Sequence, residues 1–136
     1  MLDQKVTMVH AMMLICFANK TMTSQKIALV ESYAKALPEF YGHDFQRYYK
    51  AAKEVASGAG GSLDRAVDSL SRIKSKELRL KTFLCCLELA YADGEPCDGE
   101  GSLLDAMQKV LDVTSEHARA MREVVAMKFK SLAFVA

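Results

Sequence analysis

The chain has 136 residues, 51% of them hydrophobic and 26% charged, with a formal net charge of +1 at pH 7. This length suffices for one domain with a sizeable core, and the composition is typical of a soluble globular protein. Because the charge is nearly balanced, the chain lacks the global basic field that supports nucleic-acid binding, and that class of partner is not predicted. No apolar stretch is as long as a membrane span, so membrane insertion is not predicted either.

The N-terminal stretch predicts a buried helix. Apolar residues at helical spacing extend over residues 3–18 and cover most sides of the helix, with Asp3 as the expected N-cap. A signal peptide would also be apolar here, but Asp3 offsets Lys5 and no small-residue cleavage site follows, so a cytoplasmic protein is predicted. His10 lies among the apolar residues and is expected to be a hydrogen-bonded core side chain.

Six further helices are predicted in chain order, and no window alternates for long enough to predict a strand. Their approximate ranges are 23–37, 45–55, 63–73, 76–92, 98–111 and 115–134. The side chains expected to cap five of them are Thr23 or Ser24, Asp44, Ser75, Asp98, and Thr114 or Ser115. The Gly-rich segment 57–62 lets the chain reverse but is too short to separate domains. The predicted fold class is therefore all-α, a single domain over residues 1–136 with about seven helices.

Most reactive side chains are predicted to be structural. No Cys-x-x-Cys pair occurs, which favours reduced core thiols at three of the four cysteines, with the one in a polar loop exposed: Cys16, Cys85, Cys86 and the exposed Cys97. A basic cluster at the start of the fifth helix is expected to be a solvated face: Lys74, Lys76, Arg79 and Lys81. The three histidines have no metal-ligand spacing, and because no nucleophile and base stand together, an enzyme is not predicted: His10, His43 and His117.

The turn between the fifth and sixth helices carries four carboxylates, those of Asp93, Glu95, Asp98 and Glu100. Hard cations such as calcium prefer several oxygen ligands, so one interpretation is a metal site with these four residues as ligands. In the other interpretation Asp98 caps the next helix and Glu100 lies in its first turn, where acidic groups are favourable. The spacing is not that of an EF-hand loop, because the fifth position counted from Asp93 is Cys97.

The two halves of the chain show an internal repeat. When Ala18 is placed on Ala92, an offset of 74 residues, the apolar positions coincide across both helix-loop-helix pairs. One such hairpin alone could not bury its apolar face. The repeat therefore predicts that the first and second helices pack against the fifth and sixth with pseudo-two-fold symmetry.

With this repeat, and with Ala92-Asp93-Gly94-Glu95 followed by Glu100, the chain resembles the tellurite-resistance TerB-like family of helical domains. The family's pattern is Ala-Asp-Gly at a helix end with a Glu seven residues after the Asp, and nearly the whole chain is covered by the resemblance. It implies a non-enzymatic module that binds a divalent cation, calcium, through its acidic loops. It also implies a role in tellurite or general stress response, through protein partners near the inner face of the membrane.

The first-half loop departs from this pattern. Asn19 stands at the position equivalent to Asp93, and Lys26 at the position equivalent to Glu100. A paired, symmetric cation site is thereby put in question, and a second arrangement is open in which Lys20 and Lys26 neutralise the carboxylates in place of a metal.

Two functions follow from these alternatives. The first is the calcium-binding TerB-like module, with Asp93, Glu95, Asp98 and Glu100 as metal ligands. The second is a metal-independent scaffold or co-chaperone-like interaction domain, in which the acidic loop meets a basic partner surface. The response to a divalent cation distinguishes them.

Overall fold

The computed structural model describes residues 2–18, 23–42, 44–58, 63–94 and 96–130, and within these ranges the chain is all-α without any strand. In chain order the elements are α1 (Leu2–Cys16), α2 (Ser24–Ala36), α3 (Phe45–Gly58), α4 (Leu63–Asp68) with the 3₁₀ turn Ser69–Arg72 directly after it, α5 (Lys76–Tyr91), α6 (Asp98–Val110) and α7 (Ser115–Phe129). The predicted all-α class is confirmed. None of the described helices combines the length and the apolar character that crossing a bilayer demands.

Most helices begin at the residues predicted to cap them. Side-chain oxygens accept backbone N–H groups of the first turn at four starts, those of Thr23, Asp44, Ser75 and Thr114. Two capping predictions are wrong. Asp3 lies inside α1, which begins at Leu2. The cap of α6 is Cys97 instead of Asp98, since the helix begins one residue earlier than a capping Asp98 would require.

Two predicted helices differ in extent. The one expected over 63–73 is α-helical only to Asp68 and continues as the 3₁₀ turn Ser69–Arg72. The last helix, expected to reach residue 134, ends at Phe129, and residues 131–136 lie outside the described part of the chain.

Helix α1 lies at the centre of the core. Its side chains Met8, Ala11 and Ile15 are fully buried, and it packs against α3 and α5. The prediction of a buried first helix is confirmed. His10 is also buried, and its Nε2 lies 3.1 Å from the carbonyl oxygen of Ala66. Because a carbonyl only accepts, Nε2 carries the proton, which makes His10 the hydrogen-bonded core residue that was predicted.

Helices α5 and α7 run parallel. The Arg122 guanidinium on α7 lies 5.9 Å from the centre of the Phe83 ring on α5. About one and a half turns closer to the C-terminus of both helices, Lys128 donates to Glu88 over 2.7 Å. Contacts thus advance in the same direction on both helices. Since a helix carries partial positive charge at its N-terminus and negative charge at its C-terminus, like ends meet at both ends of this pair.

Candidate functional site

The acidic loop after α5 meets the first turn of α2. Thr23 Oγ1 accepts the backbone N–H of Lys26 and donates its own hydrogen to Asp93 Oδ1 over 2.8 Å. The cap of α2 and the first carboxylate of the loop are therefore held by one hydroxyl group. Thr23 was predicted as a helix cap but not as part of this site.

Lys26 is the centre of the site. It is 0% exposed, and its Nζ lies 3.0 Å from Glu100 Oε2 and 3.9 Å from Asp93 Oδ2. Glu100 is also buried, whereas the side chain of Asp93 is 32% exposed. A buried ammonium group is tolerated only when it is paired and hydrogen-bonded, and Glu100 and Asp93 supply that pairing. The predicted pairing of Lys26 with Asp93 and Glu100 is therefore observed, whereas Lys20 and Glu95 lie outside the described residues.

Glu100 has a second structural role through its other oxygen. Oε1 accepts the backbone N–H of Cys97 over 3.2 Å, while Cys97 Sγ accepts the N–H of Glu100 over 3.5 Å. This is a capping box in which cysteine stands where serine or threonine is usual. The spacing of three between Cys97 and Glu100 was visible in the sequence, but cysteine is not among the preferred caps, and so the box was missed.

The three predicted metal ligands that the structure describes occupy different surroundings. Glu100 is buried against Lys26, Asp93 lies at the edge of that contact, Asp98 is exposed as the first residue of α6, and Glu95 is outside the described residues. Among the side chains that the structure describes, no group of three or more His, Cys, Asp or Glu residues is arranged to hold a metal ion.

The described carboxylates do not fit a divalent ion while Lys26 is present. Both oxygens of Glu100 already accept hydrogen bonds, one from Lys26 Nζ and one from the N–H of Cys97. An ion between Asp93 and Glu100 would have to displace an ammonium group that the fold keeps buried. The calcium site stays a prediction, in competition with the lysine.

A groove of about 790 Å³ opens beside the acidic loop. Gln25, Asp93, Met127, Phe129 and Lys130 are among its lining residues, and Met127 is 67% exposed. The C-terminal ends of α5 and α7 both reach this groove, so their partial negative charges add to the carboxylate of Asp93. The groove was not predicted from the sequence, because it is formed by the parallel packing of α5 and α7.

The buried thiols and a buried phenol are protonated at neutral pH. Burial raises the pKa of Cys16 to about 11 and that of Cys85 to about 12, and it also raises the pKa of Cys86. Burial and a 2.6 Å hydrogen bond to Glu88 raise the pKa of Tyr33. Cys97 is exposed, as predicted.

No family model, curated protein or solved structure matches the chain. The resemblance to the TerB-like family therefore stays a prediction that rests on the residues quoted for it.

Proposed function

We propose that this chain is a non-enzymatic helical interaction module that works without a metal and docks a segment of a protein partner in the groove beside Asp93. The observation that carries the proposal is the contact of the buried Lys26 with Glu100. In the calcium interpretation a bound ion orders the acidic loop. Here the lysine supplies the positive charge, so the loop can present the neighbouring groove without an ion.

The groove indicates the chemistry of the partner segment. Met127 is largely exposed and Phe129 is half-buried, and a flexible thioether next to an aromatic ring suits an apolar side chain of a partner. Asp93 and the C-terminal ends of two helices favour a cationic group at the end of the groove next to Asp93, while Lys130 in the lining offsets part of this negative charge. The partner is therefore a protein segment that carries an apolar side chain close to Lys or Arg.

The proposed layout is that of a TerB-like repeat. Lys26 and Glu100 stand at equivalent positions of the two halves, 74 residues apart, and their side chains touch. When two halves are related by a pseudo-two-fold axis, a residue contacts the equivalent residue of the other half only close to that axis. The contact of Lys26 with Glu100 therefore supports the predicted symmetry. A role in tellurite or general stress response, with partners at the inner membrane face, is carried by the resemblance alone and belongs to the same proposal.

The test begins by capturing proteins on the immobilised, purified chain in the presence of a chelator. Each captured protein is then purified, and its affinity for the chain is measured. We expect a partner whose binding survives the chelator and is weakened at least about tenfold, or ~1.4 kcal/mol, by Met127→Asp. The matched control is Leu63→Asp on α4, since Leu63 is similarly exposed at 57% but lies outside the groove. Binding that requires calcium, or that both substitutions weaken equally, would contradict the proposal.

A further inference from the structure

A basic pocket lies at the end of the α5–α7 pair opposite to the acidic loop. Its volume is about 240 Å³, and its lining includes Lys74, Lys76, Arg79, Thr114 and His117. Lys74 and Lys76 are exposed, as the predicted solvated face requires, and they also line this pocket. One of the four members of the predicted basic cluster points elsewhere: Lys81 donates to Glu39 over 2.9 Å. The other three converge on the pocket.

The charges around the pocket are unbalanced. Among the lining residues that the structure describes, three are Lys or Arg and one, Asp112, is a carboxylate. Within the described part of the chain, neither Lys74 nor Lys76 forms an ion pair, and both are exposed. The first turns of the parallel helices α5 and α7 both border the pocket, and their partial positive charges act in the same direction as the lysines.

The backbone that carries these groups is held in place. Gln4 Oε1 accepts the N–H groups of Lys74 and Ser75 over 3.0 and 3.1 Å, which fixes the segment before α5. Arg79 Nε donates to the carbonyl oxygen of Ile73 over 2.6 Å. That bond orients the guanidinium plane and leaves its two terminal nitrogens to donate to another acceptor, a geometry that suits a planar or tetrahedral oxyanion.

We propose that this pocket binds a phosphate monoester group. Its volume equals that of roughly eight water molecules, which admits a phosphate and a short substituent but is below the range of roughly 300–1,000 Å³ found for ligand pockets. A phosphate monoester group occurs both in small soluble phosphate esters and in lipids with a terminal phosphate. The inference uses no residue of the groove beside Asp93 and does not depend on the proposed partner.

The test follows backbone amide signals of the isotope-labelled chain while inorganic phosphate, glycerol 3-phosphate or vesicles containing phosphatidic acid are added. Sodium chloride at matched ionic strength is the control. We expect saturable shifts at the first turns of α5 and α7, and about tenfold weaker binding of glycerol 3-phosphate when Lys74→Gln and Lys76→Gln are combined. The matched control combines Lys35→Gln and Lys50→Gln, exposed lysines of α2 and α3, and should leave the affinity unchanged.

A substitution that is expected to increase the affinity for phosphate serves as a further control, because a misfolded variant would not bind phosphate more tightly. Asp112 has φ of 54°, a left-handed conformation that Asn adopts readily, so Asp112→Asn preserves the turn and removes the opposing charge. We expect it to tighten phosphate binding about threefold. Stronger binding to the vesicles than to glycerol 3-phosphate would identify a lipid source, and the reverse a soluble one. Absence of saturable shifts with all three probes, or equal weakening by the Lys35 and Lys50 substitutions, would overturn the proposal.

Discussion

At the scale of single residues, Lys26 decides how the acidic loop is held. An ammonium group and a carboxylate lose several kcal/mol of hydration when buried, and their mutual attraction with well-placed hydrogen bonds offsets that loss. The sequence indicated this pairing, since Lys26 stands opposite Glu100 in the repeat. It did not indicate that Lys26 would be fully buried, because the carboxylate it contacts, Glu100, lies 74 residues away in the chain.

Replacing Lys26 by Met should destabilise the chain strongly. Glu100 would be left as a buried charge without its partner, for which we expect a loss of about 3–5 kcal/mol in the free energy of unfolding, measured in urea. Adding Glu100→Gln should recover at least about 1 kcal/mol, because the amide is uncharged and its oxygen can still accept the N–H of Cys97. Equal stability of the single and double variants would show that the pair is not the source of the loss.

His10 should make stability depend on pH. Burial holds the pKa of His10 below its ordinary value of 6.5; the hydrogen bond to Ala66 opposes this, and the charge of Arg72 adds to it. As the pH falls, the unfolded chain takes up the proton first. The stabilising contribution is therefore complete above pH 6.5 and is lost as the pH falls through the folded-state pKa, by at most about 1.4 kcal/mol per pH unit.

The comparison variant is His10→Gln, whose amide can still donate to the Ala66 carbonyl but does not titrate. Urea unfolding of both proteins between about pH 7.5 and 5 should show a steeper loss of stability for the unmodified chain. Parallel curves would mean that His10 titrates alike in the folded and unfolded states.

At the scale of helices, local chemistry explains which starts were predictable. Ser75 and Thr114 are preferred caps and lie directly before apolar helical periods, so their helices were located correctly. The start of α6 at Asp98 was predicted correctly, but its cap was assigned to Asp98 instead of Cys97, because aspartate is a preferred cap and cysteine is not. The 3₁₀ turn after α4 has no signal of this kind in the sequence, since the buried residues Val67, Leu70 and Ile73 are three apart, and residues three apart share a face in both helix types.

Cys97→Ser should stabilise α6. A thiol sulfur is a weak acceptor, and a serine oxygen at the same position would bind the N–H of Glu100 more strongly and complete an ordinary capping box. We expect a gain of about 0.5–1 kcal/mol in the free energy of unfolding. Cys97→Ala, which has no acceptor, should lose stability, and identical behaviour of the Ser and Ala variants would show that the sulfur does not cap the helix.

At the scale of the whole molecule, the positions of groove and pocket follow from the relative direction of helices. The apolar periods predicted α5 and α7 as helices, but two helices with the same periods could pack parallel or antiparallel. Only tertiary contacts such as that of Glu88 with Lys128 fix the direction. This is why the acidic loop was found from the sequence, whereas the groove at Met127 and the convergence of Lys74, Lys76 and Arg79 on one pocket were not.

Calcium should not stabilise the chain. A ligand that binds only the folded state at about a hundred times its dissociation constant adds roughly 2.7 kcal/mol, which raises the melting temperature by several degrees. With Lys26 between Asp93 and Glu100, we expect no such rise when millimolar calcium is added to chelator-treated protein, with magnesium as the control. A calcium-specific rise that Asp93→Asn removes would restore the metal site and displace the lysine interpretation.

A cation that is part of the polypeptide cannot be diluted, exchanged or removed by a chelator. Lys26 is present once for every loop, at a local concentration that the fold sets. A metal-dependent loop has an occupied and an empty state and so reports the ion level around it, whereas the contact of Lys26 with Glu100 forms without any ion. Under the proposed function, the amount of the groove beside Asp93 that is ready to bind a partner would follow the number of copies of the chain and their lifetime, and would not follow the level of an ion.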